Sequence, residues 1–261
     1  RAERTPGMRY AIMRRISPAM SECELTFLGR TAIDYERADQ QHQQIGRWLE
    51  AAGVTVITLP ADPQLPDSTF TEDTAIVLDE LAIITNPGAA SRQAETRSIA
   101  EVLAHFRPLH WIKDPGTIDG GDVLRIGRQI YVGQGTRTNV EGLRQLTTIA
   151  EPCGYSVIPV PLERVLHLKT CATWLGDQTC LVNPHWLAAP IPGQYRFLEV
   201  PAAEPWAANT LTLNGTIHLP AGFPQTTQLL TAHGYRVATL NMDELQKAEA
   251  GLTCLSIIFE A

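Results

Sequence analysis

The chain closes with the stretch GLTCLSIIF, residues 251–259, in which a cysteine stands near the start of an apolar run. A short run of β-branched and aromatic residues after glycine predicts a β-strand, because it is too short for a typical helix. By itself, Cys254 is more typical of a small buried apolar residue than of a nucleophile. Its interpretation therefore depends on the rest of the chain.

A pattern of strand, strand, helix and strand recurs before that stretch. The predicted strands are 9–13, 54–59, 75–78, 81–84, 109–112, 123–126, 130–132, 155–160, 168–175, 179–182, 197–200, 209–213, 216–219 and 235–240. The predicted helices are 34–52, 99–106, 184–188 and 225–233. A further helix is predicted to begin at the capping box formed by Thr138 and Glu141 and to continue through Leu143, Leu146 and Ile149. The first strands of successive copies are spaced by about 41 to 47 residues, a period typical of propellers and repeat arrays.

The N-terminal copy lacks its first strand, and the stretch 252–259 supplies it. Pairing the two closes a ring and removes exposed sheet edges. The sequence therefore predicts an α/β fold: a five-bladed α/β propeller around a pseudo-fivefold axis, forming a single domain over residues 1–261. Residues 1–7 are expected to be a flexible leader.

Composition excludes several functional classes. The 261 residues carry a net charge of −7 without a basic run, which argues against nucleic acid as a partner and suits a cationic small substrate. No apolar run reaches the length of about 18 residues that a membrane span needs. The five scattered cysteines lack a Cys-x-x-Cys pair, so we expect neither disulfides nor structural zinc, in keeping with a cytoplasmic location.

Reactive side chains occupy equivalent positions in the copies, where each first strand starts and points toward one end of the axis. These positions hold Glu72 and Asp73, Asp119 and Asp122, His167, Asn209, and Cys254. Singly, the histidine is more typical of a core residue and the acids of turns. Together, a thiol, an imidazole and paired carboxylates suit attack on a guanidinium carbon, since burying several acids requires donors or a cation.

The motifs that carry this chemistry are LPDSTFTED (65–73), IITNPGA followed by SR (83–92), DGGD (119–122), RTN (137–139), LHLK (166–169), AAN (207–209) and LTCLS (252–256). In this order they resemble the guanidine-modifying superfamily called penteins, and most closely its dimethylarginine dimethylaminohydrolase family. The resemblance runs from residue 65 to 256, nearly the whole chain.

The resemblance implies hydrolysis of Nω-methylated arginines to citrulline and a methylamine. It implies that Cys254 attacks to form a thiouronium, that His167 protonates the leaving amine and then activates water, and that Asp119 orients His167. The binding residues it implies are Glu72 and Asp73 for the guanidinium, Arg92 and Arg137 for the α-carboxylate, Asp67 and the backbone of Ala248 for the α-amine, Phe70 for the pocket wall and Leu25 for a lid. No cofactor and no metal are implied.

Alternatives stay open at this point. A sister enzyme could deiminate arginine or transfer an amidino group, and a non-catalytic propeller could bind a partner, although His167 and Cys254 argue against the latter. A zinc hydrolase lacks a third good ligand. Asn86 and Glu249 depart from the family pattern, which usually has arginine and aspartate there. The sequence does not fix the oligomeric state, for which a homodimer is the assembly considered.

Overall fold

The computed structural model describes residues 7–261, and its fifteen strands follow the predicted repeat closely. The strands are β1 (Arg9–Arg14), β2 (Thr55–Leu59), β3 (Ala75–Val77), β4 (Ala82–Ile84), β5 (Leu109–Trp111), β6 (Val123–Ile126), β7 (Gln129–Gln134), β8 (Ser156–Pro161), β9 (Ala172–Gly176), β10 (Thr179–Val182), β11 (Arg196–Glu199), β12 (Leu211–Leu213), β13 (Thr216–Pro220), β14 (Arg236–Leu240) and β15 (Ile257–Glu260).

The strands form five three-stranded sheets, ordered β15-β1-β2, β3-β4-β5, β6-β7-β8, β9-β10-β11 and β12-β13-β14. In every sheet the inner strand is antiparallel to the middle strand, which is parallel to the outer strand. Inner strands of neighbouring sheets touch, as in β15 with β3 and β9 with β12. The five-bladed α/β propeller predicted from the sequence is confirmed.

One blade is assembled from both ends of the chain. β15 pairs with β1 in the register Arg9↔Glu260 to Ile12↔Ile257, and β1 pairs in parallel with β2. The Gly7 N–H donates to the Ala261 carbonyl at 3.1 Å, which extends this pairing. The predicted leader lies outside the described residues except for Gly7.

Helices connect middle to outer strands in four blades and cover the outside of the ring. They are α1 (Tyr35–Ala51), α2 (Thr96–Leu103), α3 (Val140–Ala150) and α5 (Pro224–Ala232), while α4 (Leu168–Cys171) and α6 (Asp243–Gln246) are single turns elsewhere. The fourth blade has a 3-10 helix, Pro184–Trp186, where the sequence predicted a helix over 184–188. None of the helices in residues 7–261 combines the length and apolar character needed to cross a membrane.

The main difference from the sequence prediction concerns the residues just before the inner strands. Cys254 was predicted on a strand but lies in a 3-10 helix, Thr253–Leu255, that precedes β15. Short helical turns also precede three of the other four inner strands, at Thr71–Thr74, Gly120–Asp122 and Leu168–Cys171. The turn around Cys254 forms because its N–H donates to the carbonyl of Gly251 at 3.2 Å, a bond that an extended chain could not make. These turns bring reactive side chains to one end of the axis.

The predicted capping box on α3 was also wrong by one residue. The N-cap is Asn139, whose side chain accepts the N–H of Gly142 at 2.8 Å. The hydroxyl of Thr138 instead donates to Asp122 Oδ2 at 2.6 Å. The Thr138 hydroxyl, which the local pattern predicted as the helix cap, is therefore bonded to the buried carboxylate of Asp122 instead.

Candidate active site

A small cavity of about 30 Å³ lies at the end of the axis where the turns converge. Its walls are Glu24, Asp67, Phe70, Asp73, Arg92, Arg137, Leu166, His167, Ala248, Glu249 and Cys254. The predicted nucleophile and the predicted general acid therefore line one enclosed space. Of the predicted site residues, only Leu25, Glu72 and Asp119 are not part of its wall.

The Cys254 thiol is held by the turn that carries it. Its Sγ accepts the N–H of Gly251 at 3.3 Å. Burial raises the pKa of the thiol well above its usual value, and the neighbouring carboxylates of Glu72 and Asp73 raise it further. The raised pKa favours the neutral thiol, and a cation bound beside it would favour the ionised form.

His167 is held in place by carboxylates. It lies at the N-cap of α4, and its Nε2 is 2.9 Å from Asp119 Oδ2 and 3.8 Å from Asp73 Oδ1. Burial alone would lower the pKa of His167, but the carboxylates of Asp73, Asp119 and Asp122 overcome it and raise the pKa to about 9. The imidazole is thus protonated at neutral pH and ready to donate a proton.

Asp119 is fully buried, and both of its oxygens are engaged. Oδ2 bonds His167, and Oδ1 accepts the N–H of Gly88 at 2.8 Å. The position predicted for Asp119, beside the histidine, is the one that the structure gives it.

Two glycines allow the turn after Asp119 to press against these groups. A Cβ on Gly120 would lie 1.9 Å from the carbonyl oxygen of Glu72. A Cβ on Gly121 would lie 2.7 Å from His167 Nδ1 and 2.8 Å from Asp73 Oδ1. Only glycine fits at either position, so the DGGD motif serves close packing of the catalytic groups.

Asp73 is paired with an arginine. Its Oδ2 accepts from Arg92 Nη1 at 2.6 Å, and its Oδ1 accepts from Gly121 N–H at 2.9 Å. Burial would raise the pKa of Asp73, but His167 and Arg92 hold it well below the usual value. Asp73 is therefore ionised and offers a negative charge next to the thiol.

Arg92 is buried, and all of its guanidinium nitrogens have partners. Besides Asp73, it donates to Glu95 Oε1 and Oε2 at 3.1 and 2.9 Å and to the Phe70 carbonyl at 3.1 Å. Burial raises the pKa of Glu95 to about 7, against the opposing charge of Arg92. The arginine predicted to clamp a carboxylate is thus engaged inside the protein.

Arg137 is the arginine with a free donor. Its Nη1 is buried and has no hydrogen-bond partner among the described residues, and it lies 3.6 Å from Asp119 Oδ2. A buried donor without a partner is costly unless a ligand satisfies it. An anionic group in the cavity would do so.

Glu72 lies beside the cavity and faces the central channel. It accepts from Thr253 Oγ1 at 2.7 Å and forms an ion pair with Lys169. These three residues line a second cavity of about 640 Å³ between the inner strands. Burial raises the pKa of Glu72, opposed by Lys169. Glu72 therefore separates the channel from the thiol and contributes negative charge to both.

The residues predicted for the amino end of the substrate contact the segment 24–28. Both oxygens of Asp67 accept the N–H of Glu24, at 3.2 and 3.1 Å. Leu25 is half-buried and packs against the hydrophobic cluster that includes Phe70 and Ala248. Leu25 thus lies next to the cavity without lining it.

Three of these groups also have the spacing of a metal site. Ligand atoms of Asp73, Asp119 and His167 lie within 4.8 Å of one another. Each carboxylate already accepts a backbone N–H in addition to its charged partner, which leaves the set suited to holding a proton and a cationic ligand.

Known proteins are similar to this chain in sequence and in fold. Residues 28–191 match the family model described as N,N dimethylarginine dimethylhydrolase, eukaryotic. The N(G),N(G)-dimethylarginine dimethylaminohydrolase of Pseudomonas aeruginosa is 38% identical, over 87% of this chain and 90% of that protein. The protein of the same name from Streptomyces coelicolor is 39% identical, over 95% of each chain.

The chain belongs to the dimethylarginine dimethylaminohydrolase family. Its structure agrees, because a mutant of the P. aeruginosa enzyme complexed with citrulline aligns with a TM-score of 0.91 over 98% of this chain and all of that one, at 35% identity. The substrate-bound N-terminal domain of a cyanobacterial arginine dihydrolase aligns with a TM-score of 0.82 at 20% identity, a likeness of fold alone.

Sequence reasoning missed several residues of this family member's site. Glu24, Leu166 and Glu249 line the cavity, and Glu95 pairs with Arg92. The spacing of Arg92 and Glu95, three residues apart, is a local signal for such a pair. The contacts of Glu24 and Glu249 join distant parts of the chain and have no such signal.

Proposed function

We propose that this chain hydrolyses Nω-methylated arginines, including asymmetric dimethylarginine and monomethylarginine, to citrulline and dimethylamine or methylamine. The observation that carries the proposal is the shared cavity of Cys254 and His167, bordered by the ionised Asp73. Membership of the dimethylarginine dimethylaminohydrolase family supports the choice of substrate.

The substrate guanidinium binds at Asp73, with Glu72 adding negative charge behind it. Arg92 Nη1 donates to Asp73 Oδ2 at 2.6 Å. A guanidinium that takes its place frees that nitrogen to turn toward the substrate carboxylate, where Arg137 Nη1 already lacks a partner. Exchange of one guanidinium for another keeps Asp73 paired throughout and explains how two arginines could clamp an anion bidentately.

Catalysis begins with ionisation of the thiol. The bound cation lowers the pKa of Cys254, whose proton leaves to solvent, and the thiolate then attacks the guanidinium carbon. His167, protonated at neutral pH, gives its proton to the departing amine as the carbon–nitrogen bond breaks. This step leaves a thiouronium on the sulfur and a neutral imidazole.

The second half-reaction returns the enzyme to its starting state. The neutral His167 takes a proton from a water molecule that attacks the thiouronium carbon. As the carbon–sulfur bond then breaks, the hydroxyl proton of the tetrahedral intermediate passes to the departing sulfur, directly or through solvent, which gives citrulline, the neutral thiol and the imidazolium. Asp119 holds the imidazole in place through both proton transfers, at 2.9 Å from Nε2.

The test is to incubate the protein separately with asymmetric dimethylarginine, monomethylarginine and arginine and to assay citrulline. Cys254→Ser should abolish product formation, and Cys153→Ser, a change on a 3-10 helix outside the cavity wall, is the control. Unchanged activity in Cys254→Ser would contradict the covalent route. Citrulline from arginine alone would assign a deiminase instead.

We also propose a cytoplasmic location for the protein. All five cysteines are free thiols, which supports a reducing compartment such as the cytoplasm. A homodimer, and the lack of nucleic-acid or membrane partners, stay predictions from the sequence.

A further inference from the structure

Glu249 makes an unusual set of contacts five residues before the nucleophile. Its Oε1 accepts three consecutive backbone N–H groups, from Thr26 at 3.0 Å, Phe27 at 2.5 Å and Leu28 at 2.6 Å. Successive N–H groups that converge on one carboxylate oxygen form an anion-binding concavity, and such charge-assisted bonds are the stronger class. The bonds join positions more than 220 residues apart in the chain.

The backbone at Glu249 is itself strained, with φ at +58°. Of the other non-glycine residues with positive φ, Asp177, Gln178 and Asn214 lie in the tight turns of β-hairpins, where this conformation is ordinary, and Arg164 lies in a bend. Glu249 lies in a cavity wall instead. A non-glycine residue held in this conformation at a functional site indicates that its surroundings require it.

The segment that Glu249 holds has few other attachments. Residues 26–28 form a bend outside any helix or strand, and Phe27 and Leu28 are 41% and 37% exposed. Phe27 makes one ring contact, with Trp206 at 6.5 Å between centroids. The carboxylate of Glu249 is therefore the principal polar tie of this segment to the propeller.

Glu249 stands between the segment and the reacting groups. It lines the cavity that contains Cys254, and it also lines an adjoining cavity of about 290 Å³ with Leu28 and Trp206. The cavity of about 30 Å³ around Cys254 is too small for an arginine, so the wall must open to admit a substrate.

We infer that Glu249 is a positioning residue for this reaction: its carboxylate fixes residues 26–28 beside the cavity that contains Cys254 and so sets how tightly the substrate is enclosed. The expected change in KM rests on the proposed function, whereas the expected release of residues 26–28 does not. The carboxylate need not touch the substrate. Its effect passes through the segment, which carries Leu25 to the edge of the cavity.

The experiment compares Glu249→Ala, Glu249→Gln and Glu249→Asp with wild type. Loss of charge-assisted bonds should raise the open population about tenfold or more in Glu249→Ala. We therefore expect KM to rise about tenfold with kcat within threefold of wild type, because substrate is held less firmly while the reacting groups stay in place. Aspartate keeps the charge and tolerates positive φ, so it should recover part of the loss. Glutamine keeps an uncharged acceptor and should lie between alanine and wild type.

A second readout needs no substrate. Arg30 follows the held segment and donates to the carbonyls of Ser21 and Cys23, so release of the segment should make the peptide bond after Arg30 a better trypsin substrate. Cleavage there, followed by mass spectrometry, should accelerate about tenfold in Glu249→Ala. Glu101→Ala, a change of an exposed glutamate on α2, is the matched control and should leave both readouts unchanged.

Wild-type KM in Glu249→Ala, or an unchanged rate of cleavage after Arg30, would overturn the inference. Equal effects of aspartate and alanine would also overturn it, because the charge would then not be the acting feature. Failure of the proposed function is separately visible, since it would remove citrulline formation from wild type while leaving the proteolysis result intact.

Discussion

A single methyl group at Gly121 should disable the enzyme by moving its histidine. In Gly121→Ala the new Cβ would lie 2.7 Å from His167 Nδ1 and 2.8 Å from Asp73 Oδ1, whereas ordinary contact begins at 3.4 Å. The imidazole or the turn must therefore give way by about 0.7 Å, which is enough to spoil the 2.9 Å bond between Nε2 and Asp119.

A misplacement of this size predicts a loss of about tenfold to hundredfold in kcat/KM, because displacements near 1 Å cost up to about hundredfold. Overpacking should also lower the free energy of unfolding by about 1–3 kcal/mol. The assay is citrulline formation from dimethylarginine, with circular dichroism and urea unfolding to show that the variant is folded.

Gly46→Ala is the control for this change. Gly46 lies inside α1, and a Cβ there would meet only Met13 Sδ at 3.6 Å, an ordinary contact. It should keep wild-type activity and gain about 0.5–1 kcal/mol of stability. A folded Gly121→Ala enzyme with kcat/KM within threefold of wild type would refute the reasoning, since His167 would then not need its present position.

The remaining predictions concern protons and metals. At neutral pH the free enzyme holds a thiol and an imidazolium, one proton more than the reacting thiolate–imidazolium form. The value of kcat/KM should therefore rise with pH and level off near the His167 pKa of about 9. In Asp119→Asn the missing carboxylate lowers that pKa, so the levelling should move to lower pH in a weaker enzyme; a profile identical in shape to wild type would contradict this. Activity should survive prolonged EDTA treatment, because Asp73 and Asp119 are already satisfied by Arg92, His167 and backbone N–H groups; loss on chelation and recovery with added metal would show a metal-dependent site instead.

The ring could be predicted because its signals are local and repeated. Each blade has its own hydrophobic alternation and turn residues, and the missing strand at one end matches the extra strand at the other. The equivalence of Asp73, Asp119, His167 and Cys254 followed from counting positions within the repeat. The structure changed only the local element that carries them, from strand starts to tight turns.

What could not be predicted is which partner each polar group chooses. Arg92 was predicted to clamp a substrate carboxylate, a role that stays a prediction; it lines the cavity and pairs with Asp73 and Glu95, because a buried guanidinium needs partners inside the protein. Glu249 was noticed as a departure from the family pattern, but its contacts with residues 26–28 depend on the closed ring. The alternation of apolar and polar residues does not indicate hydrogen-bond partners that are distant in the sequence.

The blade that joins β15 to β1 and β2 has a consequence for the order in which the enzyme comes into being. Cys254 follows every other residue of the cavity wall along the chain, so a ribosome makes the acids, the arginines and the histidine before it makes the sulfur. A nascent chain can build most of the ring without a reactive thiol beside its imidazole. Hydrolysis of arginine derivatives can therefore start only after β15 has paired with β1 and brought Cys254 to the cavity.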